Sequence, residues 1–301
     1  MLTLRTDLAL ESIYTHDNKG IIKQERQEDN CVVTEISITT QEAAQLVGKP
    51  MGNFVTLEFQ TFPDRDPVVL EKNAKVIAKE LGKLLPQKSE RILVVGLGNR
   101  NITPDALGPS TLDGVMITNH VLEYINTEGE NDFRAVCGIC PGVLGITGIE
   151  TVDIVQGVVE KYQPSLVIAV DALCAGSPER MFSTVQLTNT GIHPGSGVGN
   201  RRDGLNQETL GVPVIAIGIP TVVDSHSIVY SALTGFFEKN DSLAEAEHMI
   251  SDMIKFAKSG LFVSPKDIDN LITHSARTLS GGINLALHKN IDLAFSEHFV
   301  S

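Results

Sequence analysis

Three short apolar runs in the middle of the chain constrain its fold more than any other feature. They are Arg91-Ile-Leu-Val-Val-Gly-Leu-Gly-Asn99, Ser165-Leu-Val-Ile-Ala-Val-Asp171 and Val212-Pro-Val-Ile-Ala-Ile-Gly-Ile-Pro220. Runs of this length, rich in β-branched residues and closed by glycine, proline or an acid, suit strands buried on both faces of a parallel sheet. A fourth run, Ala135 to Cys140, ends in Pro141-Gly142. Helical patterns lie between them: about Pro109 to Ile125, Thr151 to Tyr162 with Val152, Val155, Val158 and Val159 on one face, and about Val222 to Phe237. Strands alternating with helices predict an α/β fold, a mainly parallel sheet with helices on both faces.

The flanks are less regular. Val32 to Thr39 and Phe54 to Phe59 are β-like, with a short helix candidate, Gln41 to Val47, between them, and residues 66–85 look helical. Two more helices are expected at 243–259 and 265–279, with Gly281-Gly282 breaking the last. The organisation expected is an α/β core at about 88–240, a small N-terminal β/α appendage at about 20–85 and C-terminal helices at about 243–289.

Composition excludes several partners. The net charge is −13, so no basic excess exists to neutralise phosphates, and direct nucleic-acid binding is not expected. Trp is absent and aromatics make up 5%, too few for a base-stacking platform. No apolar run reaches the roughly 18 residues of a membrane span, and the first residues lack a signal-peptide apolar region. Cys31, Cys137, Cys140 and Cys174 are too scattered for a disulfide framework and suit a reducing compartment. A cytoplasmic protein is expected.

Parallel sheets present their functional groups at the carboxyl ends of their strands, which selects a few loops. Gly96-Leu97-Gly98 lacks the third glycine of a dinucleotide fingerprint, since Asn101 stands there; glycines allowing a tight turn beneath a site are the simpler reading. Cys137-Gly-Ile-Cys140 is a single CxxC whose plainer reading is two small buried residues. Zinc would need further ligands such as Cys174 and His193. The acids say more. Asp171 closes an apolar strand, and Asp105 lies just beyond another. Two carboxyls in one crevice cannot both ionise cheaply; one can activate water while the other protonates a leaving amine. Against this, either acid alone is compatible with a helix N-cap. Asp224 reads as the acid of a helix N-terminus. The loop Thr190-Gly-Ile-His193-Pro-Gly195-Ser-Gly197-Val-Gly199-Asn200 is dense enough in glycine for backbone amides to approach a ligand, with His193 a base, a metal ligand or a loop-structuring group.

At these loops the chain resembles the germination protease family of spore endopeptidases. The stretches that carry the resemblance are Arg5-Thr-Asp-Leu-Ala9, Val94-Val-Gly-Leu-Gly-Asn99, Thr103-Pro-Asp-Ala-Leu-Gly-Pro109, Gly148-Ile-Glu-Thr151, Ala169-Val-Asp-Ala-Leu173, Gly191 to Asn200, Pro213 to Asp224 and Gly281 to His288. They span nearly the whole chain; residues 238–262 depart most, looking shorter than in longer members. The resemblance implies an endopeptidase that degrades small acid-soluble spore proteins in the spore core, with a proposed aspartic mechanism on Asp105 and Asp171 and no metal or cofactor. A similarity in fold to the hydrogenase-maturation proteases keeps a metal-assisted variant open, and the glycine loops leave a non-catalytic small-anion-binding protein as the other alternative. The resemblance also implies a homotetramer, made as a zymogen that removes its own N-terminal segment. Family substrates have the form acidic–apolar–Ala–X–Glu, and Asp7-Leu8-Ala9-Leu10-Glu11 has that form. The expectation is self-cleavage between Asp7 and Leu8, with residues 1–7 the propeptide and 8–301 the protease domain.

Overall fold

The computed structural model describes residues 5–13, 19–87, 89–122, 132–193, 195, 203–238 and 260–300. The N-terminal third runs α1 (Ala9–Ile13), β1 (Ile21–Glu28), β2 (Cys31–Ile38), α2 (Gln41–Val47), β3 (Gly52–Phe59) and α3 (Pro67–Leu84). The central part runs β4 (Arg91–Gly96), a 3-10 turn (Thr103–Asp105), α4 (Leu107–Asp113), α5 (Asn119–Leu122), β5 (Ala135–Ile139), α6 (Leu144–Thr147), α7 (Thr151–Tyr162), β6 (Leu166–Ala175) and β7 (Thr184–Thr188). Then follow α8 (Gln207–Leu210), β8 (Val214–Asp224), α9 (Ser225–Glu238), β9 (Phe262–Val263), α10 (Ile268–Leu287) and α11 (Leu293–Val300).

These strands form one sheet in the order β1-β2-β3-β7-β8-β6-β4-β5, with β9 on β8. The expected α/β architecture is present. Its parallel part is β8-β6-β4-β5, formed by the apolar runs, and the remaining pairings are antiparallel. The N-terminal strands attach edge-on to that core: β3 pairs with β7, and β7 with β8, so both parts share a single sheet. Strand β1 escapes notice in the sequence because Ile21-Ile-Lys-Gln-Glu-Arg-Gln-Glu28 is an edge strand with mostly exposed side chains. Charged residues on an edge discourage pairing with another chain.

Period-two alternation sorts the core into two layers. Ile92 and Val94 of β4, Leu166, Ile168 and Val170 of β6, and Ile215, Ile217 and Ile219 of β8 pack with α3, α4 and α10. Leu93 and Val95, Val167 and Ala169 face the other way, where Val152, Val155 and Val159 of α7 cover them. Helices therefore lie on both faces, as the apolar runs require. Among the described residues no helix is long and apolar enough to cross a membrane.

Several boundaries differ from expectation for identifiable reasons. The helix expected at 109–125 is two short ones, because Asn284 of α10 takes over the backbone between them. Its side-chain oxygen accepts from Met116 N–H at 2.9 Å and its amide donates to the Gly114 carbonyl at 2.9 Å. Both β6 and β8 run past Asp171 and Pro220, to Ala175 and Asp224. The helix expected at 243–259 lies outside the described residues. Gly281-Gly282 does not break the last long helix; α10 runs through it to Leu287. A Cβ on Gly282 would lie 2.7 Å from Ile77 Cγ2, and one on Gly281 2.5 Å from a Leu293 methyl. The glycines thus permit close helix packing, and that contact offsets their poor helix propensity.

This packing predicts that Gly282→Val destabilises the protein by about 1–3 kcal/mol, the usual cost of overpacking a core. Urea unfolding would measure it; an unchanged midpoint would contradict the close-approach role.

Candidate active site

Beyond Val95 and Ala169, the face covered by α7 opens into a cleft of about 1070 Å³, lined by residues of the β4 and β6 ends, β7, β8, the 190–195 loop and the N-terminal segment. The β4 side is built first. Leu97 N–H donates to the Val170 carbonyl at 2.8 Å, extending the β4–β6 ladder by one bond. Gly98 then takes φ +109°, where a Cβ would stand 2.1 Å from the Asp105 carbonyl oxygen, so only glycine lets the chain return this closely. The return is secured by Asn99 N–H, which donates to Asp105 Oδ2 at 2.8 Å and to its carbonyl at 3.1 Å.

A β-bulge fixes the same loop from the other side. Registers Leu173↔Pro220 and Cys174↔Val222 skip Thr221, and the Thr221 hydroxyl donates to the Pro104 carbonyl at 2.6 Å. Pro220 is tolerated inside a central strand at this irregularity. Asp105 caps no helix: α4 begins at Leu107, and its cap position, Ala106, receives no side-chain bond.

Asp171 is not at a strand end but within β6, because β8 continues alongside it across the bulge. It is therefore no helix cap either. Only 6% of Asp171 is exposed. Burial first, then the negative charges of Asp105 and Asp7, hold its carboxyl well above the usual aspartate range; the Ala172 N–H, donating at 2.9 Å, opposes them. Burial also raises Asp105, against the Asn99 N–H. The charge of Asp105 thus makes Asp171 the carboxyl that holds its proton more strongly.

Asp171 pairs in register with Gly218 of β8, and Gly218 with Gln186 of β7. Their neighbours Val170, Ile217, Ile219, Val185 and Leu187 point into the opposite layer, so Asp171, Gly218 and Gln186 share the cleft face. Glycine at the centre makes room for the Leu173 side chain, whose Cγ would lie 2.5 Å from a Cβ at 218.

The N-terminal segment enters this cleft. Asp7 N–H donates to the Cys174 carbonyl at 2.9 Å, and Cys174 N–H donates to Asp7 Oδ2 at 2.9 Å. The Asp7 carbonyl accepts from Lys49 Nζ at 2.9 Å and Gln186 Nε2 at 3.0 Å. Leu8 and Ala9 are fully buried. Glu11 accepts from Gly176 N–H at 2.7 Å and from the Thr6 hydroxyl, and meets Arg180 at 3.4 Å. Neither Lys49 nor Gln186 has a sequence signature; a glutamine in the otherwise apolar and threonine-rich Thr184-Val-Gln-Leu-Thr188 was the available hint.

The glycine-rich loop is closed at its base by a two-bond bridge between Ile192 and Leu205. His193 is exposed and lines the cleft, as does Gly195, which has φ +73°. Gly197 and Gly199 lie outside the described residues. Asp224 ends β8 and accepts from His226 N–H at 2.9 Å as α9 begins, and it meets Arg5 at 3.8 Å. Contrary to the expectation of two small buried residues, Cys140 is exposed and Cys137 only half-buried, because β5 is the edge of the sheet. Among the described residues, no three or more His, Cys, Asp or Glu side chains gather as a metal's ligand set would.

The family model described as germination protease matches residues 5–240. A germination protease of Clostridium tetani is 42% identical, over 97% of this chain and 98% of its own. One from Caldanaerobacter subterraneus subsp. tengcongensis is 40% identical over 97% and 96%. One from Clostridium perfringens is 38% identical over the whole of both chains. Among solved structures, the [NiFe] hydrogenase maturation protease HycI from Thermococcus kodakarensis matches with 17% identity and a TM-score of 0.37, over 69% of this chain and 98% of its own.

The raised carboxyl predicts a pH dependence of stability. The folded protein keeps Asp171 protonated where the unfolded chain, with an aspartate pKa of about 3.9, has ionised it. Stability is therefore lost as pH rises from that value through the raised one. Asp171→Asn should be more stable than wild type at pH 8, with the advantage shrinking to nothing as pH falls toward about 4. Thermal unfolding across pH would test this, and a pH-independent difference would contradict it.

Proposed function

The chain belongs to the germination protease family, and on that footing we propose that it is an aspartic-type endopeptidase that begins the degradation of small acid-soluble spore proteins. The observation that carries this reading is the meeting, in one cleft, of the Asp105 and Asp171 carboxyls with Asp7 of the chain's own N-terminal segment. The ionised carboxylate takes a proton from water, and the water oxygen attacks the scissile carbonyl carbon. The protonated partner gives its proton to the leaving nitrogen, so the pair ends with its proton exchanged between the two sites. This mechanism draws on no metal or organic cofactor. His193, Gly195, Gly197 and Gly199 belong to the loop that shapes the substrate side.

The same reading makes residues 1–7 a propeptide and residues 8–301 the protease domain. With Asp7 held on Cys174, the segment occupies the cleft and keeps other substrates out until it is cut. The protein acts as a homotetramer in the spore core, a cytoplasmic compartment. Its net charge of −13 keeps it off the DNA that its substrates coat, without direct nucleic-acid or membrane contact.

Asp105→Asn and Asp171→Asn should each lower cleavage of a purified small acid-soluble spore protein by at least about 10²-fold, the lower end of what positioned acid–base groups contribute. A chelator should leave the wild-type rate unchanged. Equal rates for all three proteins would reject the pair, and loss of activity in chelator would replace it with a metal-assisted mechanism. Mass spectrometry of the active protein should find Leu8 as its first residue. Deleting residues 1–7 should raise activity on added substrate, and no gain would contradict the blocking role.

A further inference from the structure

The carbonyl of Asp7 receives two side-chain donors, an unusual provision for a chain terminus. Lys49 Nζ lies 2.9 Å from it and Gln186 Nε2 3.0 Å. Lys49 follows the left-handed Gly48 that closes α2, so its backbone is fixed by the helix end. Gln186 is held more firmly still: it is 7% exposed, and its side-chain oxygen accepts from Ala9 N–H at 2.7 Å. One amide group thus spans the Asp7-Leu8 bond, donating on one side of it and accepting on the other. Asp7 is pinned from behind by the exchange with Cys174, and Leu8 is fully buried, so the peptide bond between them has little freedom to turn.

The sheet register fixes where this bond lies. Gln186 and Asp171 flank Gly218 in one row across three strands. Two strand spacings put their Cα atoms about 10 Å apart, with both side chains on the cleft face. The carbonyl held by Gln186 therefore sits on the same face as the carboxyl pair.

We propose that Lys49 and Gln186 are further catalytic residues for self-processing, forming the donor pair that stabilises the oxyanion when the Asp7 carbonyl is attacked. This rests on the reading of the cleft as an aspartic-type site that cuts Asp7-Leu8. Attack by water forms a new C–O bond and moves the carbonyl electron pair onto the oxygen, where the Lys49 ammonium and the Gln186 amide already point. Collapse of that intermediate breaks the C–N bond, leaving an Asp7 carboxylate and a Leu8 amine. Donors placed before the reaction cost no reorganisation during it, and those aimed at an oxyanion act more strongly on it than on the neutral carbonyl.

The variants K49M, K49R and Q186E separate catalysis from anchoring. Q186E keeps the acceptor for Ala9 N–H and removes the donor to Asp7. Intact-mass measurement of the full chain would give the first-order rate of Leu8-terminus formation. Hydrogen exchange over residues 8–13, in each variant combined with Asp171→Asn, would report whether the segment stays docked. K49M and Q186E should each process about 10²–10³-fold more slowly, as for loss of one oxyanion donor, with protection unchanged, and K49R should recover at least tenfold over K49M. Wild-type rates in K49M and Q186E would overturn the proposal, as would slow processing matched by lost protection, which would leave the two residues as anchors. If Asp171→Asn alone processes at the wild-type rate while K49M is slow, the carboxyl pair fails and the donor pair stands.

Discussion

A carboxyl buried in the middle of a central strand is the constraint around which the rest of the site is arranged. Asp171 gives up hydration, and an isolated buried carboxylate is too costly to persist, so its proton is retained well above the usual range. Asp105 intensifies this by adding negative charge, and its own burial raises it as well. Neither acid is fixed by its own local sequence alone. Asp105 needs the positive φ of Gly98 and the hydroxyl of Thr221, and Thr221 is available because β8 bulges beside β6.

The same sheet carries the substrate side. An antiparallel strand, β7, is laid against the parallel core, and through β8 it puts Gln186 in the same row as Asp171. The N-terminal hairpin then continues the sheet and brings α2, with Lys49 after it, to the rim. A purely parallel core would have offered the acids without the groups that grip the Asp7 carbonyl. The N-terminal strands are thus tied to function as well as to the sheet's edge.

What the sequence revealed follows from how local each feature is. Parallel strands buried on both faces must be apolar throughout, so β4, β6 and β8 are visible as runs, and the acids beside them stand out. Strand β1 hides because an exposed edge has no need of alternation. Gly281 and Gly282 mislead because their helix penalty is local, whereas the contacts with Ile77 and Leu293 that offset it are distant in sequence. Lys49 and Gln186 are illegible for the same reason: their shared partner, Asp7, lies 42 and 179 residues away. Asp171 was legible as an acid but not in its setting, since only pairing with β8 reveals that its strand continues.

The central claim is that burial and the Asp105 charge keep the Asp171 carboxyl protonated above the usual aspartate range. Carbon-13 NMR titration of the aspartate carboxyls reads it most directly. One carboxyl signal, absent in Asp171→Asn, should remain protonated above the usual aspartate range, and in Asp105→Asn the Asp171 signal should titrate at lower pH than in wild type. If every aspartate in the wild-type protein had ionised by about pH 5, within the usual spread of aspartate values, the account would be contradicted.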